Sequence, residues 1–462
     1  MGPAVTERRA LMALLDPTSW QPRPLKGGEH TVTEPATGEA LGTVALAAAE
    51  DVAPAAEAAR AAQTEWARLP HFVRAGVLRR AGDLFTAHAD ELRAWLVRES
   101  GSIPGKADFE LHVAAQECYE AAALASRPAG QVLPSEAPRL SYTRRVPVGV
   151  VGVIAPFNAP LILSIRSVAP ALALGNGVVL KPDPRTAVCG GLSLAAVFAE
   201  AGLPEGLLHV LPGGAETGAA LVADPRVPVI SFTGSEKVGY AIMDSVPRKH
   251  CTLELGGNGA AVVLGDWASD EDLDWAATRI ATFSNYQGGQ SCISVQRVIA
   301  DASVHCIRDR VSEDAAKRVE AWVQEAVEAG AALLTGGKRD GAAYAPTVLT
   351  DLPAGTTLAC EEVFGPVLSV QKVDGEAAAF AAVNDSKYGL QAGVFTHDLQ
   401  AAFRAHRALE VGGVVIGDVP SYRADQMPYG GAKQSGVGRE GVRFAMDDYT
   451  YERVLVLTGL AL

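Results

Sequence analysis

The sequence predicts an α/β protein: two α/β domains with mostly parallel sheets, and a β-hairpin arm that leaves the compact body. Three observations carry this expectation. Apolar β-type runs alternate with helical patterns between 148 and 264, a second alternating region runs from 271 to 418, and Gly130, Pro134, Ser135 and Pro138 punctuate short β-like runs over 129–147. Strands alternating with helices mean βαβ units, whose ligands bind at the carboxyl ends of the strands. With 462 residues and 48% hydrophobic composition the chain can bury a large core, and its length fits two or three domains.

Taken in order, 51–126 is rich in Ala, Glu, Leu and Arg, with apolar residues three and four apart (Val77, Leu78, Ala81, Leu84, Phe85), which predicts amphipathic helix. The punctuated 129–147 segment then presents strand edges that another element or subunit should cover. In the first alternating region the strands are expected at 148–155, 178–180, 207–211, 227–232 and 252–255, with helices at 160–174, 187–201, 215–223 and 235–246. In the second they are expected at 295–300, 367–373, 392–395 and 413–416, with helices at 271–284 and 311–329. A Gly-rich loop from Pro420 to Gly441 precedes a last β-like segment, 450–457, which is a natural partner for the arm.

Composition narrows the partners. A net charge of -13, from 40 basic and 53 acidic residues, argues against nucleic acid or an anionic membrane, since both need clustered Lys and Arg. The uncharged run Val146 to Ile165 contains Pro147, Pro156, Pro160, Gly149 and Gly152, which a membrane-spanning helix would not tolerate together; a buried strand, a loop and a helix explain it better. Six cysteines, at 118, 189, 251, 292, 306 and 360, form no C-x-x-C pair and no metal-ligand spacing with His, so no metal is expected. The segment after Glu7-Arg8-Arg9, Leu11 to Leu15, is too short for a secretory signal; reduced thiols in a cytoplasmic protein follow.

The chemistry centres on Gln287-Gly288-Gly289-Gln290-Ser291-Cys292-Ile293-Ser294, where two glycines and flanking hydroxyl residues set Cys292 on a tight turn between a helix and a strand. A thiol presented there is a candidate nucleophile. No G-x-G-x-x-G fingerprint is present, but Phe232-Thr233-Gly234-Ser235 joins a strand end to a helix start, a place suited to a phosphate and equally to a simple cap. Leu180-Lys181-Pro182-Asp183-Pro184-Arg185 puts a cation on the same sheet edge. Glu254 stands between Leu253 and Leu255 at a strand end before Gly256-Gly257; apolar surroundings raise a carboxyl pKa and make it a base near neutrality, whereas alternating exposure would simply leave it in water. Asn158 either caps the following helix or points its amide at an oxyanion. Arg166, eight residues later on roughly the same helix face, has either a structural acid partner or a substrate to meet.

In this order Pro156-Phe157-Asn158-Ala159-Pro160, Lys181-Pro182, Phe232-Thr233-Gly234-Ser235, Leu253-Glu254-Leu255-Gly256-Gly257-Asn258, Gly289-Gln290-Ser291-Cys292, Glu361-Glu362-Val363-Phe364-Gly365-Pro366 and Pro428-Tyr429-Gly430-Gly431 resemble the aldehyde dehydrogenase superfamily, over nearly the whole chain. The resemblance implies that fold, with a Rossmann-like NAD(P)-binding domain over 1–126 and 148–253, a catalytic domain over 254–441, and a bridging arm over 127–147 and 442–462 that makes a homodimer or homotetramer. It implies Cys292 as nucleophile, Glu254 as general base, and Asn158 with the Cys292 N–H as oxyanion hole. Lys181 would take the adenosine ribose, Gly234 and Ser235 the pyrophosphate, Glu362 the nicotinamide ribose and Phe364 the nicotinamide, with Phe157 and Pro184 also at the cofactor. Arg166, Ile162 and Ile293 would line the substrate pocket.

The implied reaction oxidises an aldehyde to its acid through a thioester that Glu254-activated water hydrolyses. Many NAD-preferring members carry a glutamate where this chain has Pro184, so the cofactor is NAD or NADP, with NAD slightly favoured and Arg185 a possible aid to NADP. Arg166 and the Pro-Asp-Pro-Arg-Thr run after Lys181 look like the benzaldehyde, vanillin and salicylaldehyde branch, so the expected substrate is an aromatic aldehyde. The alternatives are a semialdehyde dehydrogenase, with Arg166 holding a distal carboxylate, and a catalytically silent protein of the same fold. A Cys/His hydrolase would need a histidine in one of these motifs, and there is none.

Overall fold

Why each strand of the sheet has its place follows from burial. The computed structural model describes residues 14–15, 25–127, 130–301, 313–341 and 343–459, so the Glu7-Arg8-Arg9 segment, Cys306 and the last three residues of the expected arm lie outside the described residues. The chain forms two compact units, residues 1–232, 242–251 and 441–462 in one, and 233–241 with 252–440 in the other.

In the first unit the uncharged run resolves as its prolines and glycines predict: the strand Val150–Ala155, a loop, and the helix Pro160–Ala173. Val150–Ala155 pairs in parallel with Gly177–Pro182 on one side and with Val229–Thr233 on the other, and Gly177–Pro182 pairs with Leu208–Val210. Successive strands therefore step outward on one side of Val150–Ala155 and then cross to its other side. That reversal is a topological switch point, and the loops after Ala155, Pro182 and Thr233 leave the carboxyl ends of the strands there.

The N-terminal helices Val52–Arg68, His71–Ala87, Ala89–Ser100 and Pro104–Leu124 cover this sheet with a continuous apolar core. They also bring buried charge to the helix starts. Glu110 Oε2 accepts from the N–H groups of Leu161 (3.1 Å) and Ile162 (3.4 Å), and Glu99 accepts from Val188 (2.9 Å) and Cys189 (2.6 Å). These carboxylates satisfy orphan donors at the starts of the helical segments after the first two strands. Lys106 compensates Glu110, and both side chains are buried. The helix expected over 187–201 opens with a π turn, Val188–Leu192, before Ser193–Glu200. Gly190 and Gly191 lie in that turn, and a Cβ on Gly191 would stand 2.8 Å from the Pro182 ring.

The arm is a three-stranded antiparallel sheet, with Arg139–Pro147 between Val132–Leu133 and Thr450–Thr458. The terminal strand pairs along its full length, from Thr450 opposite Pro147 to Thr458 opposite Arg139. Val132, Tyr451, Val454, Leu455 and Val456 remain exposed on it.

The second unit holds a seven-stranded sheet, in the order Ala332–Thr335, Thr347–Thr350, Val367–Val373, Val295–Asp301, Gly259–Val263, Gln391–Phe395 and Gly413–Ile416. Its pairs are parallel except the first. Gly259–Val263 is fully buried inside this sheet, yet its Gly-Ala-Ala start has little strand propensity, so periodicity alone does not reveal it. Packing explains the small residues: a Cβ on Gly259 would stand 2.4 Å from the Ser294 carbonyl oxygen. Helix Asp270–Asn285 opens on a Ser269 cap and closes at the turn that carries Cys292. Among the described residues no helix is long and apolar enough to cross a membrane, and no group of three or more His, Cys, Asp or Glu could hold a metal ion.

Candidate active site

The thiol turn is built by three consecutive left-handed residues, Gln287 (φ 53°), Gly288 (64°) and Gly289 (73°). Glycine tolerates that conformation without cost, and Gln287 adopts it only because the turn demands it. At Gly289 the turn presses on the Gly365-Pro366 peptide, where a Cβ would lie 2.3 Å from the Gly365 carbonyl oxygen. The thiol turn and the Glu361–Pro366 loop are therefore in backbone contact. Phe364 in that loop is itself left-handed, with φ 44°.

Residues 254–258 form the floor beneath both loops. A Cβ on Gly257 would stand 2.3 Å from the Cys292 carbonyl oxygen, and one on Gly256 would stand 2.5 Å from a Glu362 carboxylate oxygen. The Gly257 N–H donates to Glu362 Oε1 at 3.0 Å. Gln296, buried, ties the set together: its Nε2 donates to the Gly257 carbonyl (2.8 Å) and its Oε1 accepts from the Val363 N–H (2.8 Å). Ser421 Oγ donates to the Ile293 carbonyl at 2.5 Å, fixing the other side of Cys292.

Glu254 is buried at the end of its strand, which pairs with Gly436. The Gly234 N–H donates to the Glu254 carbonyl at 3.0 Å, so the start of the Gly234-Ser235 turn is anchored to the strand that bears the candidate base. Ser235 itself is exposed. A Cβ on Gly430 would stand 2.9 Å from Glu254 Oε1, so the Tyr429-Gly430-Gly431 segment closes over the carboxylate.

Electrostatics distinguish the groups. Burial pushes the Cys292 thiol up to about 11; Glu362 and Glu254 add to the rise, while Tyr429 and Arg423 oppose it. Burial likewise pushes Glu362 up to about 7, against the Gly257 N–H and the Arg318 charge, both of which favour the carboxylate. Cys292 Sγ lies 3.4 Å from Tyr429 Oη.

In the first unit, the three residues expected at strand ends take distinct places. Lys181 ends its strand almost wholly buried, and desolvation lowers its pKa. Pro184 opens a 3-10 turn capped by Asp183, which grips Arg185 through two parallel bonds of 2.9 and 2.8 Å, and Arg185 lies 3.8 Å over the Phe157 ring. Asn158 is buried, and Glu110 accepts from the first N–H groups of the helix after it. Ile162 is buried on that helix, and Arg166 meets a structural acid there: Glu117, at 3.5 Å from its Nε, with both side chains buried.

Sequence reasoning missed Gln296, Arg423 and Glu440. Arg423 and Glu440 pair at 2.8 Å and are both buried. A charged Arg beside a Pro-Tyr-Gly-Gly turn and a Glu after a Gly-rich stretch are visible in the sequence, but nothing local says that they meet.

The sequence pattern described as "Aldehyde dehydrogenase family" matches residues 23–307 and 310–455, almost the entire described structure. The chain belongs to the aldehyde dehydrogenase family. It is an NAD(P)-dependent aldehyde dehydrogenase that oxidises an aldehyde to the acid by the family's cysteine chemistry. This aldehyde dehydrogenase is 47% identical to a vanillin dehydrogenase from an Amycolatopsis species, over 97% of this chain and 99% of the relative. It is 39% identical to the NAD(+) benzaldehyde dehydrogenase of Pseudomonas putida, over 92% of each. Its fold is similar to the crystal structure of aldehyde dehydrogenase 21 from Physcomitrella patens in complex with the reaction product succinate: TM-score 0.89, 33% identity, covering 96% of this chain and 97% of that one. The vanillin and benzaldehyde dehydrogenases support the aromatic-aldehyde branch as its place in the family.

The backbone contact at Gly289 yields a direct test. Gly289→Ala would push the thiol turn off the Gly365-Pro366 peptide, and a displacement on the scale of an ångström at a reacting group costs about a hundredfold in rate. We expect kcat to fall by about that factor with circular dichroism unchanged, measured by initial rates of cofactor reduction.

Proposed function

We propose that this aldehyde dehydrogenase oxidises an aromatic aldehyde of the benzaldehyde type, with Cys292 as the nucleophile, Glu254 as the base of the second half-reaction, and NAD(P) as the hydride acceptor. The observation that carries the substrate reading is the buried Arg166–Glu117 pair. A cation already matched by an internal carboxylate has little to gain from a substrate carboxylate, and separating the pair would leave a charge buried without its counterion. Arg423 is matched in the same way by Glu440. An apolar aromatic ring asks for neither cation. The semialdehyde reading keeps one support, the succinate bound as reaction product in the Physcomitrella patens enzyme of similar fold.

The residues suit the cofactor. The strand ends at Lys181 and Gly234-Ser235, with Phe157 and Pro184 near Lys181 in the chain fold, would hold the adenosine and pyrophosphate, and Glu362 and Phe364 the nicotinamide riboside; Gly256, where a Cβ would meet the carboxylate, lets Glu362 lie against the strand end. The bound cofactor supplies the hydride acceptor. Cys292 attacks the carbonyl carbon, and the Asn158 amide with the Cys292 N–H bears the oxyanion in the role that the family resemblance implies. Glu254 removes a proton from the water that cleaves the thioester, releasing the acid. NAD is favoured over NADP because both carboxylate oxygens of Asp183 already occupy Arg185, leaving that cation neutralised. The exposed apolar residues of the arm sheet suit a homodimer or homotetramer.

Two measurements test this reading. Benzaldehyde should give kcat/KM at least about tenfold above succinate semialdehyde, and the reverse order would return Arg166 to carboxylate binding. Asp183→Asn frees Arg185 and removes a negative charge, so the NADP to NAD ratio of kcat/KM should rise about tenfold; an unchanged ratio would show that Asp183 does not set the preference.

A further inference from the structure

Tyr429 has no task in the reaction as described, yet it is the side chain that hydrogen-bonds the sulfur. It is buried, and two reciprocal backbone bonds with Glu440 hold it, the Tyr429 N–H to the Glu440 carbonyl (3.0 Å) and the Glu440 N–H to the Tyr429 carbonyl (2.6 Å). The Arg423 guanidinium lies 3.9 Å over the Tyr429 ring while its other end pairs with Glu440 at 2.8 Å. Arg423 Nε has no hydrogen-bond partner among the described residues, so part of its charge is left to act on the ring. A cation on the face of a phenol draws electron density from it and strengthens its O–H as a donor.

The charged and titratable groups that face Cys292 are Glu254, Glu362, Tyr429 and Arg423. Burial and two carboxylates resist ionisation of the thiol. Burial, Cys292 and Glu254 push the Tyr429 phenol well up, which keeps its proton in place. Burial pulls the other way at Arg423, but Glu440, Tyr429 and Glu254 outweigh it and hold the guanidinium charged. While the sulfur is protonated either group can donate across the 3.4 Å contact; once it is ionised only the phenol can.

We propose that Tyr429 is a further catalytic residue, whose phenol O–H donates to the Cys292 thiolate, and that Arg423 is the positioning residue that seats and polarises its ring. The thiol proton leaves to water and Tyr429 keeps its own, so the net change is one S–H bond lost and one O–H···S bond strengthened. When the sulfur lone pair forms the C–S bond to the aldehyde carbon, that hydrogen bond weakens. The proposal rests on Cys292 being the nucleophile.

The test uses the NAD-bound enzyme, in the wild type and in Tyr429→Phe, Arg423→Lys and Cys292→Ala. Two quantities are followed against pH: kcat/KM for benzaldehyde, and the rate at which iodoacetamide alkylates the Cys292 peptide, read by mass spectrometry. Tyr429→Phe should be about tenfold slower in both near pH 7, a one-unit rise of the thiol, and the deficit should shrink only as pH rises through the thiol's own titration, where the thiolate forms unaided. Arg423→Lys, which keeps the cation, should fall between Tyr429→Phe and the wild type. A deficit of the same size at every pH, or none, would overturn the role of Tyr429; Arg423→Lys alkylating at the wild-type rate would overturn that of Arg423. Turnover by Cys292→Ala would instead refute the nucleophile assignment, so the two failures are distinguishable.

Discussion

The second unit depends on backbone approaches that leave no room for a side chain. Gly257 meets the Cys292 carbonyl, Gly256 meets Glu362, Gly259 meets the Ser294 carbonyl and Gly289 meets the Gly365-Pro366 peptide, each at a separation that a Cβ would close to about 2.5 Å or less. Four glycines thus bring the thiol turn, the Glu361–Pro366 loop and the strand end after Glu254 into contact. Gln296 then satisfies the polar groups that this packing buries. Polar backbone removed from water must find partners, so the same side chain that fills the space also fixes the distance between the loops.

A second regularity concerns charge. Three buried cations have an acid of their own, Lys106 with Glu110, Arg166 with Glu117 and Arg423 with Glu440, and the exposed Arg185 has Asp183. Such pairing costs little stability once geometry is good, but it removes the cation from use as a general anion trap. The substrate and cofactor preferences proposed above follow from that subtraction. They come from which positive charges are spent inside the protein, and so they could not be read from the presence of an arginine alone.

The alternation of β-type and helical runs placed the parallel strands it named within a residue or two, because apolar runs bounded by glycine and proline have few other uses, but it passed over Thr347–Thr350. Val367–Val373 and Gly413–Ile416 are legible to the residue. Gly259–Val263 was not, since its small residues answer to neighbours far along the chain. The site divides in the same way. Cys292, Glu254 and Glu362 stand in local patterns that announce a turn or a strand end. Nothing in the sequence around Asn158 announces Glu110, 48 residues upstream, which meets the start of the helix after it. Nothing around Arg166 announces Glu117, which pairs with it. Tertiary partners decide such residues, and no periodicity encodes them.

The central claim is that Cys292 holds the acyl group between hydride transfer and hydrolysis. Slowing the second step should expose that intermediate. Glu254→Gln enzyme, mixed with NAD and benzaldehyde and quenched in acid during turnover, should carry a benzoyl group on the Cys292 peptide by mass spectrometry, in an amount matching the burst of reduced cofactor. A burst of reduced cofactor with an unmodified Cys292 peptide, or a benzoyl group on another residue, would contradict the account.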